Sequence, residues 1–549
     1  MAKLIKVKLQ GKSIEIPQGI SLYDLQLQGT IPADIVVARV NNMMQDLNYQ
    51  IEQPCEIDLF DLTTDEGMRV YRNSLIFILV RAAKEVIPNC RVIIEHSLSN
   101  GLYGEIEYEH PLVEEDVLNI ERRMQEIIAN NEPFVKHQMT VEEAKRIFAR
   151  QGLRDKVRLF SNSDHDLIEI HSCGNHYDTI SDLFVPNTGY LKLFKLRFYL
   201  PGFILEFPTK QNPNLIPEYI EHAKLANVYF QTEKWAKYIG ISDAGALNQW
   251  IADGRIEELV RLSEAYHEKQ IAQIADQIAA EKDRLRLILI AGPSSSGKTT
   301  FAQRLAIQLR INRLNPVSIS LDDYFVDREL TPRDEDGNYD FEALECIDIK
   351  LFNEHLSKII QGEPVELPTF NFIEGRREWR GNILRVGLDQ PIIIEGIHGL
   401  NDRLTSAIPK SRKFKIYVSA LTQLNIDDHT RIPTTDARKI RRIVRDNQFR
   451  SQTALDTIYG WSSVRRGEER HIFPFQEDAD VMFNSVLHYE LAVLKKHVKP
   501  LLEEISNEEP AYAEAQRLLN LLKNIQEVDC EHAIPCTSIL KEFIGGSCF

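Results

Sequence analysis

The run Leu285–Ala291 (LRLILIA) followed by Gly292-Pro293-Ser294-Ser295-Ser296-Gly297-Lys298-Thr299-Thr300 decides the fold of this chain. The first part is a short apolar run of the kind that forms a buried strand. The second matches G-x-x-x-x-G-K-[ST] in full. After it, Phe301, Leu305 and Leu309 fall on one face of a helix. Strand, glycine loop and helix in this order make a phosphate cradle. The glycines let backbone N–H groups close around phosphate oxygens, and the helix N-terminus adds partial positive charge. Lys298 is placed to reach the β- and γ-phosphates of a nucleotide, and the Thr299 hydroxyl to hold Mg²⁺. The competing reading is an ordinary glycine turn before a helix.

Outward from this loop the pattern repeats. Val317–Leu321, Ile392–Ile394, Phe414–Val418 and Ala479–Phe483 read as further strands, separated by helical stretches. Such alternation predicts an α/β domain with a parallel sheet and right-handed crossovers. Ligands in such sheets sit at the carboxyl ends of the strands. Asp322 and Asp323 end one strand, and Glu395 ends another. One carboxylate beside a metal and one that takes a proton from an acceptor hydroxyl is what alcohol phosphorylation requires. Asp322 as a plain cap of the next segment, and Glu395 as a solvated strand end, are the alternatives. In Asp436–Asp446, Arg438, Arg441, Arg442 and Arg445 share one side of a predicted helix, with Arg450 beyond it. Stacked cations repel unless an anion lies between them, and a triphosphate is such an anion. A basic face for RNA, or one that is only solvated, remains open.

The bulk numbers fit a multidomain globular protein. The chain has 549 residues, 27% of them charged, and a formal net charge of −16, which argues against a surface built to coat nucleic acid. No run of about 18 apolar residues is present, so no membrane span is expected. The start, MAKLIKVKLQGKSIEIP, alternates like a strand and lacks the apolar centre of a signal peptide. Seven scattered Cys read as reduced thiols in a cytoplasmic protein. Five zones are expected: a β-rich module at 1–62, a mixed module at 63–225 with helices at Arg69–Val86 and Val141–Arg150, a helical connector at 226–283, the α/β domain at 284–505, and a tail at 506–549 that starts helical.

Several ordered motifs then support a resemblance. GPSSSGKTT, LDDYF, GNYDFEAL, LPTFNF, IIIEGIHGLN, TDARKIRRIVRD and PFQEDADVMF resemble the uridine kinase and phosphoribulokinase family. The resemblance implies an ATP- and Mg²⁺-dependent kinase acting on a small molecule, by default a nucleoside. It implies that Gly292 to Thr300, with Arg450, bind ATP, and that Lys298, Arg442 and Arg445 serve phosphoryl transfer as cradle and lid. It implies Asp322 as general base, Asp340 as the carboxylate on the ribose hydroxyls, and Glu395 with Thr299 on Mg²⁺. Phe325, Phe370 and Arg442 would lie beside the acceptor. Uridine kinases carry a Tyr-Asp-Phe segment and a nearby His to read the base. Here Phe370-Asn371-Phe372 and Gly375 stand there, and Gln452 replaces a lid Arg, so base selection by hydrogen bonds is weakened.

Residues 1–62 resemble a TGS domain, through IPQGISLYDL and VARVNNMMQDLNYQIEQPCEIDLFD. The next zone resembles the second, editing-type domain of threonyl-tRNA synthetases, through GMRVYRNSLIFILVRAAKEVIP, SNGLYGEIEYE and YDTISDLFVPNTG. Where that domain has its polar editing centre, this chain has Asn73, Phe77, Ile180 and Phe184. Phe and Ile neither ligate a metal nor carry a proton, so loss of ester hydrolysis is expected. His171-x-Cys173-x-x-His176 has no zinc-ribbon spacing and reads as a strand and turn. Contact of this half with RNA or tRNA, and homo-oligomer formation, are the remaining partner expectations.

Overall fold

The computed structural model describes residues 3–161, 166–180, 182–334, 337, 339–387, 389–406, 408–422 and 424–549. Ser181 of YDTISDLFVPNTG and Asn338 of GNYDFEAL lie outside them.

The N-terminal module is a mixed sheet. Its central pair, Leu4–Leu9 and Glu56–Phe60, is parallel, and Lys12–Pro17, Val37–Val40 and Met43–Gln45 add antiparallel strands. The helix Leu22–Leu27, started by a Ser21–Asp24 capping box, crosses it in the β-grasp manner. Ile5, Val7, Leu22, Leu25, Val40 and Ile57 form this module's own core. The following zone wraps a four-stranded antiparallel sheet around the helix Asp65–Val86, whose residues 74–80 are all buried. Its middle turns, apolar on every side, can sit only inside a domain.

The C-terminal sheet has five strands: β1 (Leu287–Ala291), β2 (Val317–Ser320), β3 (Ile392–Glu395), β4 (Lys413–Ser419) and β5 (Val481–Asn484), in the order β2-β3-β1-β4-β5. Every pairing is parallel. Strand β1, at the centre, is buried on both faces and therefore carries no alternation. Four helices matter for the site: α1 (Lys298–Ile311), α2 (Thr434–Phe449), α3 (Ala454–His471) and α4 (Glu490–Glu503). Phe301, Leu305 and Leu309 of α1 pack on β1 and β4 and against Ile271, Ile274 and Ile278 of the connector helix.

The two halves share one core. Val141, Phe148 and Phe160 of the second zone cluster with Leu259 of the connector, Ile426 and Ile443 of the α/β domain, and Leu518 of the tail. The hairpin formed by Asn425–Asp427 and Thr430–Arg431 inserts into the second zone. The Ile94 amide donates to the Asp428 carbonyl (2.8 Å), and Arg91 pairs with the Asp428 carboxylate (2.7 Å). Buried Lys156 pairs with both Asp178 (2.9 Å) and Asp427 (2.8 Å). No helix among the described residues is long and apolar enough to cross a membrane.

Candidate active site

The phosphate loop is held tightly against the sheet. A side chain at Gly292 would place its Cβ 1.9 Å from the Val418 carbonyl oxygen, so only glycine fits. Ser295 (φ 58°) and Gly297 (φ 82°) take left-handed backbone, which curls the loop inward. The Ser295 and Ser296 hydroxyls are buried without a protein partner. Buried hydroxyls are rarely left unpaired unless a ligand satisfies them. This is the donor set a phosphate needs, so the loop fits a nucleotide. Lys298 turns its ammonium onto the Pro293 carbonyl (3.1 Å), and Thr299 is exposed at the mouth.

Strand register brings the acids to the loop. Glu395 is level with Ile290 of β1 and Ser320 of β2, and the Ser320 hydroxyl donates to Glu395 Oε1 (2.9 Å). Burial and then Asp322 push the Glu395 carboxyl up to about 7, against the pull of Lys298 and Ser320. Asp322, Glu395 and Lys298 thus form one electrostatic cluster. A carboxylate crowded in this way gains from a nearby cation, which suits Glu395 and Thr299 to Mg²⁺.

An aromatic cluster lies beside Asp323. Phe325 and Phe370 meet edge to face with centroids 5.6 Å apart, and Phe372 lies 5.2 Å from Phe370. The Phe370 amide donates to Asp323 (3.2 Å). Arg450 stands over the Phe372 ring, 5.1 Å from its centroid. Gly375 has φ 68°, and a Cβ there would lie 2.7 Å from the Arg328 guanidinium. Arg328 fills the space beside Gly375. Asp340 accepts the Glu342 amide (3.2 Å), and its carbonyl accepts the Cys346 thiol (2.8 Å).

The arginine helix differs from a bare cationic face. Arg438 and Arg441 are buried, and the chain supplies their anions: Glu468 of α3 for Arg438 (2.7 Å) and Glu490 of α4 for Arg441 (2.6 Å). Both also reach the loop, Arg438 at the Ser294 carbonyl (3.0 Å) and Arg441 at the Ser295 carbonyl (3.4 Å). Arg442 and Arg445 share Asp446, and Arg442 also donates to the Ser294 hydroxyl (3.0 Å). The sequence reading missed Glu468, Glu490 and Glu342. Glu342 is buried with Oε2 unpartnered, and burial and then Glu468 push it up to about 7. Only its place in GNYDFEAL marked it.

Residues 287–492 match the model described as the Phosphoribulokinase / Uridine kinase family. The C-terminal region belongs to this family. Its P-loop kinase fold is therefore joined to a different kind of module, because the N-terminal half matches threonyl-tRNA synthetase relatives. The threonine–tRNA ligase of Symbiobacterium thermophilum is 30% identical over 200 residues, covering 36% of this chain and 31% of the relative. That of Clostridioides difficile is 30% identical over 198 residues, covering 35% and 31%. The chain spans about a third of the length of these relatives. A solved structure described as a possible uridine kinase from Bacillus stearothermophilus is 20% identical, with TM-score 0.28, covering 39% of this chain and 98% of that one.

In the synthetase-like zone, Asn73 donates to Asp182 (3.1 Å), and Phe77 packs on Phe134 and Phe184. His176 lies against Phe77 (5.0 Å), and Cys173 contacts Arg81 (3.2 Å). Asn73, Ile180 and Asp182 border a cavity of about 60 Å³ that is roofed by His429, Arg431 and Arg517.

Proposed function

We propose that this protein is an ATP-dependent kinase that transfers the γ-phosphoryl group to the 5′-hydroxyl of a nucleoside. The observation that carries the reading is the glycine-locked loop with orphaned serine hydroxyls, set beside Asp322, Glu395 and Lys298. Backbone amides from Gly292 to Thr300 and the Lys298 ammonium hold the phosphates. Asp322 accepts the proton from the acceptor hydroxyl as that oxygen attacks phosphorus. Asp340 grips the ribose hydroxyls, and Phe325, Phe370 and Phe372 form the wall for the base. Thr299 and Glu395 hold Mg²⁺, which when bound neutralises charge on the transferring phosphoryl group. Arg442, Arg445 and Arg450 close over the phosphates and exclude water. With Phe370 and Gly375 at the base-reading positions, uridine and cytidine are the default bases and selectivity among bases is low. The seven free cysteines fit a cytoplasmic setting.

The test is ATP-dependent phosphorylation of a panel of ribonucleosides, deoxynucleosides, sugars and polyols, with products identified by mass. Nucleoside 5′-monophosphates support the reading. A phosphorylated sugar or polyol alone keeps the kinase and changes the acceptor. No product from any acceptor sinks it.

A second reading concerns the N-terminal half, where a cleft of about 970 Å³ is lined by Arg81, Lys84, Arg91, Arg150, Arg154 and Arg158, six cations against the three acids Glu85, Asp155 and Asp428. This lining and the tRNA-ligase relatives support RNA contact there. Salt-dependent tRNA binding that alters ATP turnover would support it, and no binding at low salt would refute it.

A further inference from the structure

The phosphate loop carries a contact that its own chemistry does not explain. The Thr300 amide, at the N-terminal end of α1, donates to Glu542 Oε2 (3.1 Å), and the Thr300 hydroxyl donates to the same oxygen (2.7 Å). Glu542 belongs to the C-terminal segment, 242 positions away in the chain. That segment is built onto the loop. Ile539 is fully buried, and its Cγ2 lies 2.5 Å from where a Gly297 Cβ would stand. Phe543 is buried with Phe301 and Leu305 of α1, and the Arg441 guanidinium stands 5.1 Å above its ring. Gly545 lies against Gln448 of the arginine helix.

A helix N-terminus with free amides is an anion site, and a carboxylate there takes the donors a phosphate would take. We propose that the C-terminal segment around Glu542 is a latch that competes with the nucleotide's phosphates for the loop, so that ATP binds by displacing it. The idea deepens the kinase reading above and rests on it. Release has to draw Ile539 and Phe543 out of the core, and the short end of the segment is where it can begin. Its helix, Lys541–Ile544, has a single turn, and Gly545 and Gly546 follow it, both at positive φ. Cys536 and Cys548, on either side, are exposed. Its upstream part touches the N-terminal module, where Asn42 donates to the Asn507 carbonyl (3.1 Å). The latch therefore lies on a continuous stretch of chain between the β-grasp domain and the nucleotide site.

The experiment compares equilibrium binding of ATP, inorganic triphosphate and adenosine to the full-length protein and to Glu542→Ala and Glu542→Gln. A charge-assisted hydrogen bond lost to the competitor corresponds to tightening of about tenfold or more. That gain is expected for ATP and triphosphate in Glu542→Ala, with a smaller gain in Glu542→Gln and none for adenosine. ATP binding by the variant alone also supports the latch. Equal or weaker ATP binding in both variants, with a wild type that binds, overturns the latch and leaves the kinase reading standing. No ATP binding by any of the three overturns the nucleotide reading and the latch with it. Should the variants fail to fold, hydrogen exchange of residues 535–549 in the wild type decides. Faster exchange with saturating ATP supports displacement, and unchanged or slower exchange overturns it.

Discussion

Glu342 and Glu395 are two carboxyls held high by burial beside further acids, each up to about 7. An acid whose pKa is raised in the folded state favours folding fully below its ordinary value, and that contribution is lost as pH rises through the folded value. Stability should therefore fall between about pH 4.5 and 7, by roughly 3 kcal/mol for Glu342 alone. Glu342→Gln should flatten the melting temperature against pH across that window. An unchanged slope would show that Glu342 ionises freely. Asp322 is the general base of the proposed reaction. Asp322→Asn should reduce phosphoryl transfer about a hundredfold or more, the usual scale of a lost general base, while ATP affinity measured by titration stays nearly the same. Transfer surviving this change would remove Asp322 from the role. Glycines, Lys298 and strand-end acids were legible because a phosphate cradle needs fixed residue types at fixed spacing. Glu468 and Glu490 were not, because they meet their arginines across 30 and 49 positions of chain, a pairing that no local pattern encodes.

At the scale of one element, α2 divides its arginines by depth. Its period of three to four correctly placed them along one side, but the inner members pair with the protein's own carboxylates rather than with a ligand. Arg438 and Arg441 are 1% and 0% exposed, and a buried pair broken on one side leaves an uncompensated charge. Arg441→Ala should thus cost about 3–5 kcal/mol of stability, read by thermal or denaturant unfolding. Arg442 and Arg445 are half-buried near the mouth and share Asp446. Arg445→Ala should lower kcat and cost less stability than Arg441→Ala, because buried Asp446 keeps Arg442 and Arg450 as partners. A large stability loss at Arg445, or none at Arg441, would reverse the assignment. The inner side of the helix thus clamps the loop, with Arg438 and Arg441 holding the Ser294 and Ser295 carbonyls, and the outer side carries the lid of the proposed reaction.

At the scale of the molecule, joining a kinase fold to a synthetase-like half is a matter of packing, and hydrophobic periodicity could not show it. The sequence pattern says which residues of a helix turn inward, but not whose core they enter. Here Val141, Phe148 and Phe160 enter a core shared with Ile426, Ile443 and Leu518. Lys156 stands at 0% exposure between Asp178 of its own half and Asp427 of the other. Burial alone would raise Asp178, but Lys156 and His429 outweigh it and hold its carboxyl well below the usual range. The β-grasp module differs in degree, because most of its core draws on residues 5–57 and only Val36 and Val37 are buried in the core of the next zone. Two truncations separate these situations. Removing residues 1–62 should leave a folded, monodisperse protein. Removing residues 1–225 strips apolar partners worth about 1.5–3 kcal/mol each from the shared core and leaves Asp427 without its ammonium. That fragment should aggregate or lose cooperative unfolding, as read by size-exclusion chromatography and circular dichroism. A monodisperse, cooperatively melting 226–549 fragment would mean that the kinase half stands alone and that the N-terminal half only rests on it.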